Sequence, residues 1–210
     1  KNIVKIWDEK NLSEENVKFL KLKTKKVTFP ASEFIKNIIQ DLIDTYKQIT
    51  CAGIAANQIG YDYQIFIGMK TIEDENEAEE IEKKEAELSS ASGNPYADNY
   101  EIYINPQIDK VDSQSIQLDE EGCLSIPGLM VGRERYDKIK IRYYDVNGAV
   151  HKCTFSGFLS KLFQHELDHL NGELMIDNLE KIENLYPLEA NEENAKLYGS
   201  LYSAYQKLTK

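Results

Sequence analysis

The segment FQHELDHLNG, residues 163–172, places two of the chain's three histidines four positions apart, with Glu166 between them. On a helix, side chains at positions i and i+4 lie one above the other on the same face. His165 and His169 could therefore bind one metal ion, and Glu166 could contact a ligand of that ion without binding the ion itself. This H-E-x-x-H pattern is typical of metal-dependent hydrolases.

Two histidines do not complete such a site, because a catalytic metal usually has three protein ligands and one position open to water. The segment EEGCLSIPG, residues 120–128, contains Cys123. A cysteine thiolate is a good ligand for zinc or iron. From the residues alone, ordinary packing of a buried cysteine is the alternative.

The overall composition narrows the class of protein. A length of 210 residues fits one domain spanning residues 1–210. The net charge of −11 argues against a nucleic-acid-binding protein, and we expect no direct nucleic-acid contact. No apolar run is long enough to cross a membrane, so we expect no membrane partner. Three irregularly spaced cysteines indicate a reducing compartment and not a disulfide framework.

Hydrophobic periodicity and turn residues predict several helices and strands. The Asn147-Gly148 pair between two alternating runs predicts a hairpin in which both turn residues have positive φ. The predicted elements are a helix at 31–50, strands at 63–69, 101–106, 138–146 and 149–156, the motif helix at 157–171, and a C-terminal helix at about 188–208.

An acidic segment interrupts this pattern. Nine acidic residues and two lysines lie within residues 71–87, and small residues follow. We interpret the region at about 71–98 as a solvated insertion in one domain.

Three segments, taken in order, resemble the motifs of the peptide deformylases. AGIAANQ, residues 52–58, resembles Gly-x-Gly-x-Ala-Ala-x-Gln; EGCLS, residues 121–125, and QHELDHLNG, residues 164–172, match the second and third motifs. The resemblance implies an α+β fold in which antiparallel strands pack around a central helix carrying the histidines. It also implies a hydrolase that removes the N-formyl group from the formyl-methionine of new polypeptides, releasing formate.

The resemblance further implies one divalent metal ion per chain, held by Cys123, His165 and His169. The family uses Fe²⁺ in its most active form, and Zn²⁺, Ni²⁺ or Co²⁺ can replace it in preparations. A metal ion lowers the pKa of water so that it attacks near neutral pH.

Three residues are then expected to carry the catalytic steps. Glu166 takes a proton from the attacking water and passes one to the departing amine. By resemblance, the Gln58 side-chain amide and the backbone N–H of Leu124 stabilise the negative charge on the formyl oxygen.

A further set of residues is expected to bind or frame the substrate. Those residues are Gly53, Ile54, Glu121, Gly122, Phe158 and Leu162. Plain core packing is the alternative for Phe158 and Leu162. Glu121 and Asp168 are also candidates for orienting the histidines, and Asp168 could instead anchor an arginine such as Arg135.

Two positions depart from the family pattern. Cys51 replaces the leading glycine of the first motif, and Met130 stands where many relatives have an arginine that contacts substrate carbonyls. Arg133 and Arg135 follow it. These departures concern the substrate groove and not the metal ligands.

Two other functions remain open on sequence grounds. One is a metallopeptidase that cuts internal peptide bonds, and the other is a protein with a closed, non-catalytic zinc site. As a deformylase, the chain would act on nascent N-formylmethionyl polypeptides, with possible transient contact with the ribosome. The absent Met start, the insertion and the composition favour a eukaryotic organelle, plastid-like or mitochondrial, over a bacterial cytoplasm.

Overall fold

The computed structural model describes residues 1–8, 10–70, 93–179 and 184–210. Most of the acidic insertion predicted at about 71–98 lies outside these residues. Where the chain resumes, Asn94 is buried and donates hydrogen bonds from its side chain to the carbonyls of Tyr46 and Cys51 (2.9 and 3.0 Å). The segment after the insertion is thus fixed against the loop that precedes the first strand.

The described residues form four α-helices with well-defined ends. Their bounds are α1 Glu14–Leu20, α2 Glu33–Gln48, α3 Gly157–Asn171 and α4 Glu192–Thr209. Helix α2 begins after Ser32, whose hydroxyl accepts a hydrogen bond from the Ile35 N–H, as an N-cap should. Helix α3 ends at Gly172, which has a φ of 76° that favours glycine. In the described part of the chain, no helix is both long enough and apolar enough to cross a membrane.

Eight strands in the described part of the chain form two antiparallel sheets. The strands are β1 Gly53–Ala55, β2 Ile65–Met69, β3 Tyr100–Val111, β4 Ile116–Cys123, β5 Ile126–Tyr136, β6 Lys138–Tyr144, β7 Val150–Ser156 and β8 Leu185–Pro187. The larger sheet has the order β1-β2-β3-β6-β7, and the smaller one has the order β4-β5-β8. A 3₁₀ turn at Ala56–Ile59 follows β1.

The β6–β7 hairpin is present, but its turn differs from the predicted one. Only Gly148 of the Asn147-Gly148 pair has positive φ. The Asp145 carboxylate accepts hydrogen bonds from the N–H groups of Asn147 and Ala149, both at 2.9 Å. This aspartate stabilises a longer turn, so the two-residue geometry is not needed.

Helix α3 packs between the two sheets, which confirms the predicted α+β arrangement. On one side, Phe163 lies edge-on to Phe66 of β2 and Tyr103 of β3, with ring centroids 5.3 and 5.6 Å apart. On the other side, α3 contacts β5 of the smaller sheet. The five-stranded sheet therefore packs against one side of α3, and the smaller sheet packs against the other.

A second core joins the smaller sheet to the N-terminal segment and α4. Trp7 is buried there and donates its indole N–H to the carbonyl of Pro127 at 3.0 Å. Leu201 and Tyr202 of α4 pack in the same cluster. This core fixes the connection between β4 and β5, and thus the position of Cys123 at the end of β4.

Candidate active site

Three candidate metal ligands from distant parts of the chain meet at α3. Each of Cys123, His165 and His169 offers a ligand atom, and the three atoms lie within 4.8 Å of one another. Cys123 Sγ is 3.1 Å from His169 Nε2. Among the described residues, no fourth Cys, His, Asp or Glu joins this group.

The donor set suits a divalent transition-metal ion. It combines one sulfur ligand with two imidazoles, a combination that zinc and iron accept. The Nδ1 atom of His165 is 3.0 Å from Glu121 Oε2, which leaves Nε2 to face the other two ligands. With three protein ligands, one position would stay open, as in catalytic and not structural sites.

A buried arginine links the two candidate positioning carboxylates. Arg135 of β5 donates two hydrogen bonds to Glu121 (2.6 and 2.9 Å) and one to Asp168 (2.6 Å). Burial alone would raise the pKa of Glu121, but its hydrogen bonds with Arg135 and His165 hold that pKa well below its usual range. Glu121 is therefore a carboxylate that orients His165, and Asp168 anchors the arginine.

The carboxylate of Glu166 is almost completely buried at the edge of a cleft. The residue is 2% exposed, and its Oε2 atom accepts no hydrogen bond from any described residue. Burial, helped by the negative charge of Glu121 and opposed by His165, raises the pKa of Glu166 to about 7. A carboxylate with such a pKa can both take and return a proton near neutral pH.

Gly53 leaves the space that Glu166 occupies. A Cβ atom at this position would lie 2.7 Å from Glu166 Oε1 and 2.9 Å from Leu162 Cδ1. From the sequence, Gly53 is expected only to bind or frame the substrate. The geometry adds a second role, which is to leave room for the buried carboxylate.

The amide of Gln58 is held in one orientation. Its Oε1 atom accepts a hydrogen bond from the Ala55 N–H at 2.8 Å. Its Nε2 atom consequently faces the other way, 3.3 Å from Ser125 Oγ and 3.5 Å from Cys123 Sγ. The N–H donors of this buried side chain therefore point toward the candidate metal ligands.

A cleft of about 590 Å³ opens beside these groups. Leu124 lines it, as do five of the six residues predicted to bind or frame the substrate: Gly53, Glu121, Gly122, Phe158 and Leu162. The sixth residue, Ile54, is not among the residues that line the cleft, and its role toward the substrate stays a prediction. Ile54 is fully buried in the cluster formed with α2, because adjacent residues of a strand point to opposite faces.

Lys161 is a cleft residue that the sequence analysis did not assign. Its ammonium group donates to the carboxylate of Asp119 and to the carbonyl of Glu120 (3.3 Å), and it lies 5.1 Å from the ring centroid of Phe158. Through these hydrogen bonds, Lys161 connects α3 to β4 beside the cleft. Its position four residues before His165 was the signal that could have identified it.

Both departures from the family pattern lie in this cleft. Cys51 and Met130 line it. Burial, together with the charge of Glu166, raises the pKa of Cys51 to about 12. Arg133 donates to the carbonyls of Leu174 and Met175, and Arg135 is held by its carboxylates, so no arginine lines the cleft among the described residues.

The family model for polypeptide deformylases matches residues 9–185. The chain belongs to the peptide deformylase family. Peptide deformylases are metal-dependent hydrolases that remove the N-formyl group from nascent formylmethionyl polypeptides, and this is the activity of the chain.

Individual peptide deformylases agree with the family model. The chain is 32% identical over 168 residues to the peptide deformylase of Desulfotalea psychrophila, covering 80% of this chain and 86% of the relative. It is 36% identical over 163 residues to that of Elusimicrobium minutum, covering 76% and 81%. Both of these relatives are bacterial.

Solved peptide deformylase structures share the fold. One is the enzyme of Plasmodium falciparum, with a TM-score of 0.65, 24% identity, and coverage of 98% of this chain and 95% of that chain. Another is Arabidopsis thaliana peptide deformylase 1B in complex with an inhibitor, with a TM-score of 0.65, 23% identity, and coverage of 99% and 91%.

Proposed function

We propose that Cys123, His165 and His169 hold the divalent metal ion of this deformylase and that Glu166 moves the protons of the reaction. The observation that carries this proposal is the convergence of three ligand atoms within 4.8 Å beside a buried carboxylate. When bound, a divalent ion supplies Lewis-acid chemistry, because it lowers the pKa of a water molecule and polarises the formyl carbonyl.

We expect Fe²⁺ to be the native ion and Zn²⁺, Ni²⁺ or Co²⁺ to appear in preparations. The sulfur ligand favours zinc or iron over hard cations such as Mg²⁺. The Glu121 carboxylate on His165 Nδ1 fixes the tautomer of that ring and raises its basicity, which supports tight binding of any of these ions.

Glu166 acts first as a base and then as an acid. It takes one proton from the attacking water while the water oxygen forms a bond to the formyl carbon. It then gives a proton to the amide nitrogen as the carbon–nitrogen bond breaks. The products are formate and a free amino terminus. The raised pKa of Glu166 supports both steps, as does its buried Oε2 atom, which has no hydrogen-bond partner among the described residues.

Gln58 and Leu124 stabilise the negative charge that develops on the formyl oxygen. The Gln58 Nε2 atom is directed toward the ligand group because Ala55 binds the other end of the amide. Leu124 directly follows Cys123 and lines the cleft. Loss of one such donor typically lowers the rate by about 10²–10³.

The cleft receives the formylated end of the peptide. Gly53 and Gly122 allow the peptide backbone to approach closely, since neither carries a side chain. We infer that Phe158, Leu162 and the aliphatic part of Lys161 form the pocket for the methionine side chain.

The experiment that tests this function compares two peptides with one preparation. We expect formate release from formyl-Met-Ala-Ser and no cleavage of an unformylated peptide that has internal bonds. A chelator should abolish formate release, and added Fe²⁺ or Co²⁺ should restore it. Internal cleavage would favour the metallopeptidase, whereas full metal content without any formate release would favour the structural zinc site.

The enzyme acts in a cellular compartment in which translation begins with formyl-methionine. We expect a eukaryotic organelle, plastid-like or mitochondrial, on the basis of the acidic insertion and a composition rich in Asn, Lys, Ile and Tyr. The bacterial relatives described above fit the alternative, a bacterial cytoplasm. In either setting the nascent substrate brings the enzyme close to the ribosome.

A further inference from the structure

One face of the five-stranded sheet carries a concentration of positive charge. Along β6, Lys138, Lys140 and Arg142 are solvent-facing or half-buried, and they alternate with the buried residues Ile139 and Ile141. The buried residues pack toward α3 in the core cluster that contains Phe163. The cations therefore lie on the opposite face of the sheet from α3.

The two neighbouring strands add to this row. Lys110 of β3 lies directly opposite Lys140, and Lys152 of β7 lies directly opposite Arg142. Paired residues on adjacent strands point to the same face. The result is a surface of five cations on three strands, which we call the cationic face: Lys110, Lys138, Lys140, Arg142 and Lys152.

Within the described residues, an ion pair neutralises only one of these five cations. Arg142 forms an ion pair with Asp109 at 3.1 Å and a hydrogen bond with Gln107 at 2.8 Å. None of the four lysines forms an ion pair with any described residue. The cationic face is thus an excess of positive charge on a chain whose net charge is −11.

Sheet stability does not explain this arrangement. Like charges directly opposite each other on adjacent strands destabilise a sheet, and here two such pairs occur. Lysines on edge strands protect sheets from edge-to-edge association, which accounts for Lys152 on β7. Strands β3 and β6 are interior strands, so that explanation does not extend to Lys110, Lys138 or Lys140.

We propose that the cationic face binds the phosphate backbone of RNA. Alternate residues along a strand are about 6.6 Å apart, a distance at which neighbouring lysines can contact successive phosphates. Thr154 and Ser156, opposite Lys140 and Lys138, add hydroxyl donors of the kind that also contact phosphates. Tyr144 is already stacked on Phe29 at 5.3 Å, which favours backbone contact over base stacking and hence sequence-independent binding.

The activity of the enzyme and one feature of the structure also favour RNA as the partner. The substrates of the enzyme are nascent chains, which are made on an RNA-rich particle. The cationic face is on the opposite side of the sheet from α3, so RNA bound there leaves the cleft open. The net charge suggested no nucleic-acid contact, but binding depends on local charge, and residues 71–87 alone supply nine acids against two lysines.

The test measures binding of the full-length, metal-loaded enzyme to a short labelled RNA duplex by fluorescence anisotropy over a series of salt concentrations. We expect binding whose affinity falls linearly with salt on a logarithmic scale. The double variant Lys110→Gln, Lys140→Gln should lower the affinity about tenfold and reduce the salt slope by about two, since each lysine contributes about one. Formate release from a formyl-Met peptide should be unchanged.

A matched control is the double variant Lys196→Gln, Lys207→Gln, which removes the same charge from exposed positions on α4. It should bind RNA within about twofold of the unmodified enzyme, since these lysines lie outside the cationic face. Absence of RNA binding at low salt would overturn the proposal, as would equal weakening by the control. Equally tight binding of polyglutamate would overturn it in favour of an acidic protein partner.

Discussion

At the scale of single residues, the site depends on groups whose surroundings set their chemistry. Glu166 is a strong example, since burial moves its pKa to about 7. Cys123 lies close to the two histidines, as expected from the sequence. The motif spacing placed His165 and His169 on one helix face, and the family resemblance supplied Cys123 as the third ligand. The pattern could not place Lys161 beside the cleft or the Ile54 side chain against α2, since both depend on which way a side chain points in the folded chain.

The first prediction concerns the space beside Glu166. Replacing Gly53 with alanine would place a Cβ atom 2.7 Å from Glu166 Oε1, so the carboxylate must move. We expect kcat to fall by about 10²-fold, as a displacement of about 1 Å in a catalytic group can cause, with metal content unchanged.

Gly199→Ala is the matched control, because a Cβ at that position on α4 would meet no described atom within 4 Å other than its chain neighbours and the nearby backbone of its own helix. Steady-state formate release and metal analysis on both variants provide the measurement. If Gly53→Ala were as active as Gly199→Ala, the close packing of Glu166 against position 53 would be irrelevant to the reaction.

At the scale of elements, hydrophobic periodicity predicted the helices, whose pattern is contained in a short stretch of sequence. The helix predicted at 31–50 spans Glu33–Gln48, and the helix predicted at about 188–208 spans Glu192–Thr209. Strands β4 and β5 were missed, and β4 explains why: most of its residues are exposed, so it lacks a clear alternation of apolar and polar positions. The choice that the sequence left open for Asp168 depended on long-range side-chain contacts. Arg135 lies opposite Gln117 in the β4–β5 register, and its guanidinium contacts both Glu121 and Asp168.

The second prediction tests that link between the strands and α3. Arg135→Lys keeps the charge but loses the fork that holds Glu121 through two hydrogen bonds. Glu121 should then orient His165 less firmly, and we expect metal affinity to fall by about 10- to 100-fold.

Arg133→Lys serves as the comparison, because Arg133 lies two residues away on the same strand and donates to the backbone carbonyls of Leu174 and Met175. It contacts the Arg135 network only through a 3.9 Å ion pair with Asp168. Competition with a chelator of known affinity measures the metal affinity of each variant. Equal affinity in the two variants would mean that the Arg135–Glu121 pair does not support the ligands.

At the scale of the whole molecule, the candidate metal site joins parts that otherwise pack in separate cores. Cys123 comes from the smaller sheet with its own core around Trp7, whereas α3 packs on the larger sheet through Phe163. Periodicity predicted individual helices and strands, and the family resemblance implied the α+β class, but the residue pattern alone could not show that the two sheets meet at the ligands. That relation follows from long-range contacts that no local pattern contains.

The third prediction follows from this position of the ligands. An ion that binds only the folded chain raises the free energy of unfolding, by about 2.7 kcal/mol at a free metal concentration 100 times the Kd. Thermal unfolding with and without a chelator should show this difference. It should vanish in Cys123→Ala and persist in Cys153→Ala, whose cysteine packs in the core around Phe163. Equal stabilisation of both variants would place the metal elsewhere.

The most direct test of the account is the variant Glu166→Gln, purified without oxygen and analysed for metal content and formate release together. Glutamine keeps the size of the side chain but cannot take a proton, so we expect about one metal ion per chain and a loss of turnover of at least about 10²-fold. A variant that retained its metal and most of its rate would contradict the role of Glu166 in proton transfer.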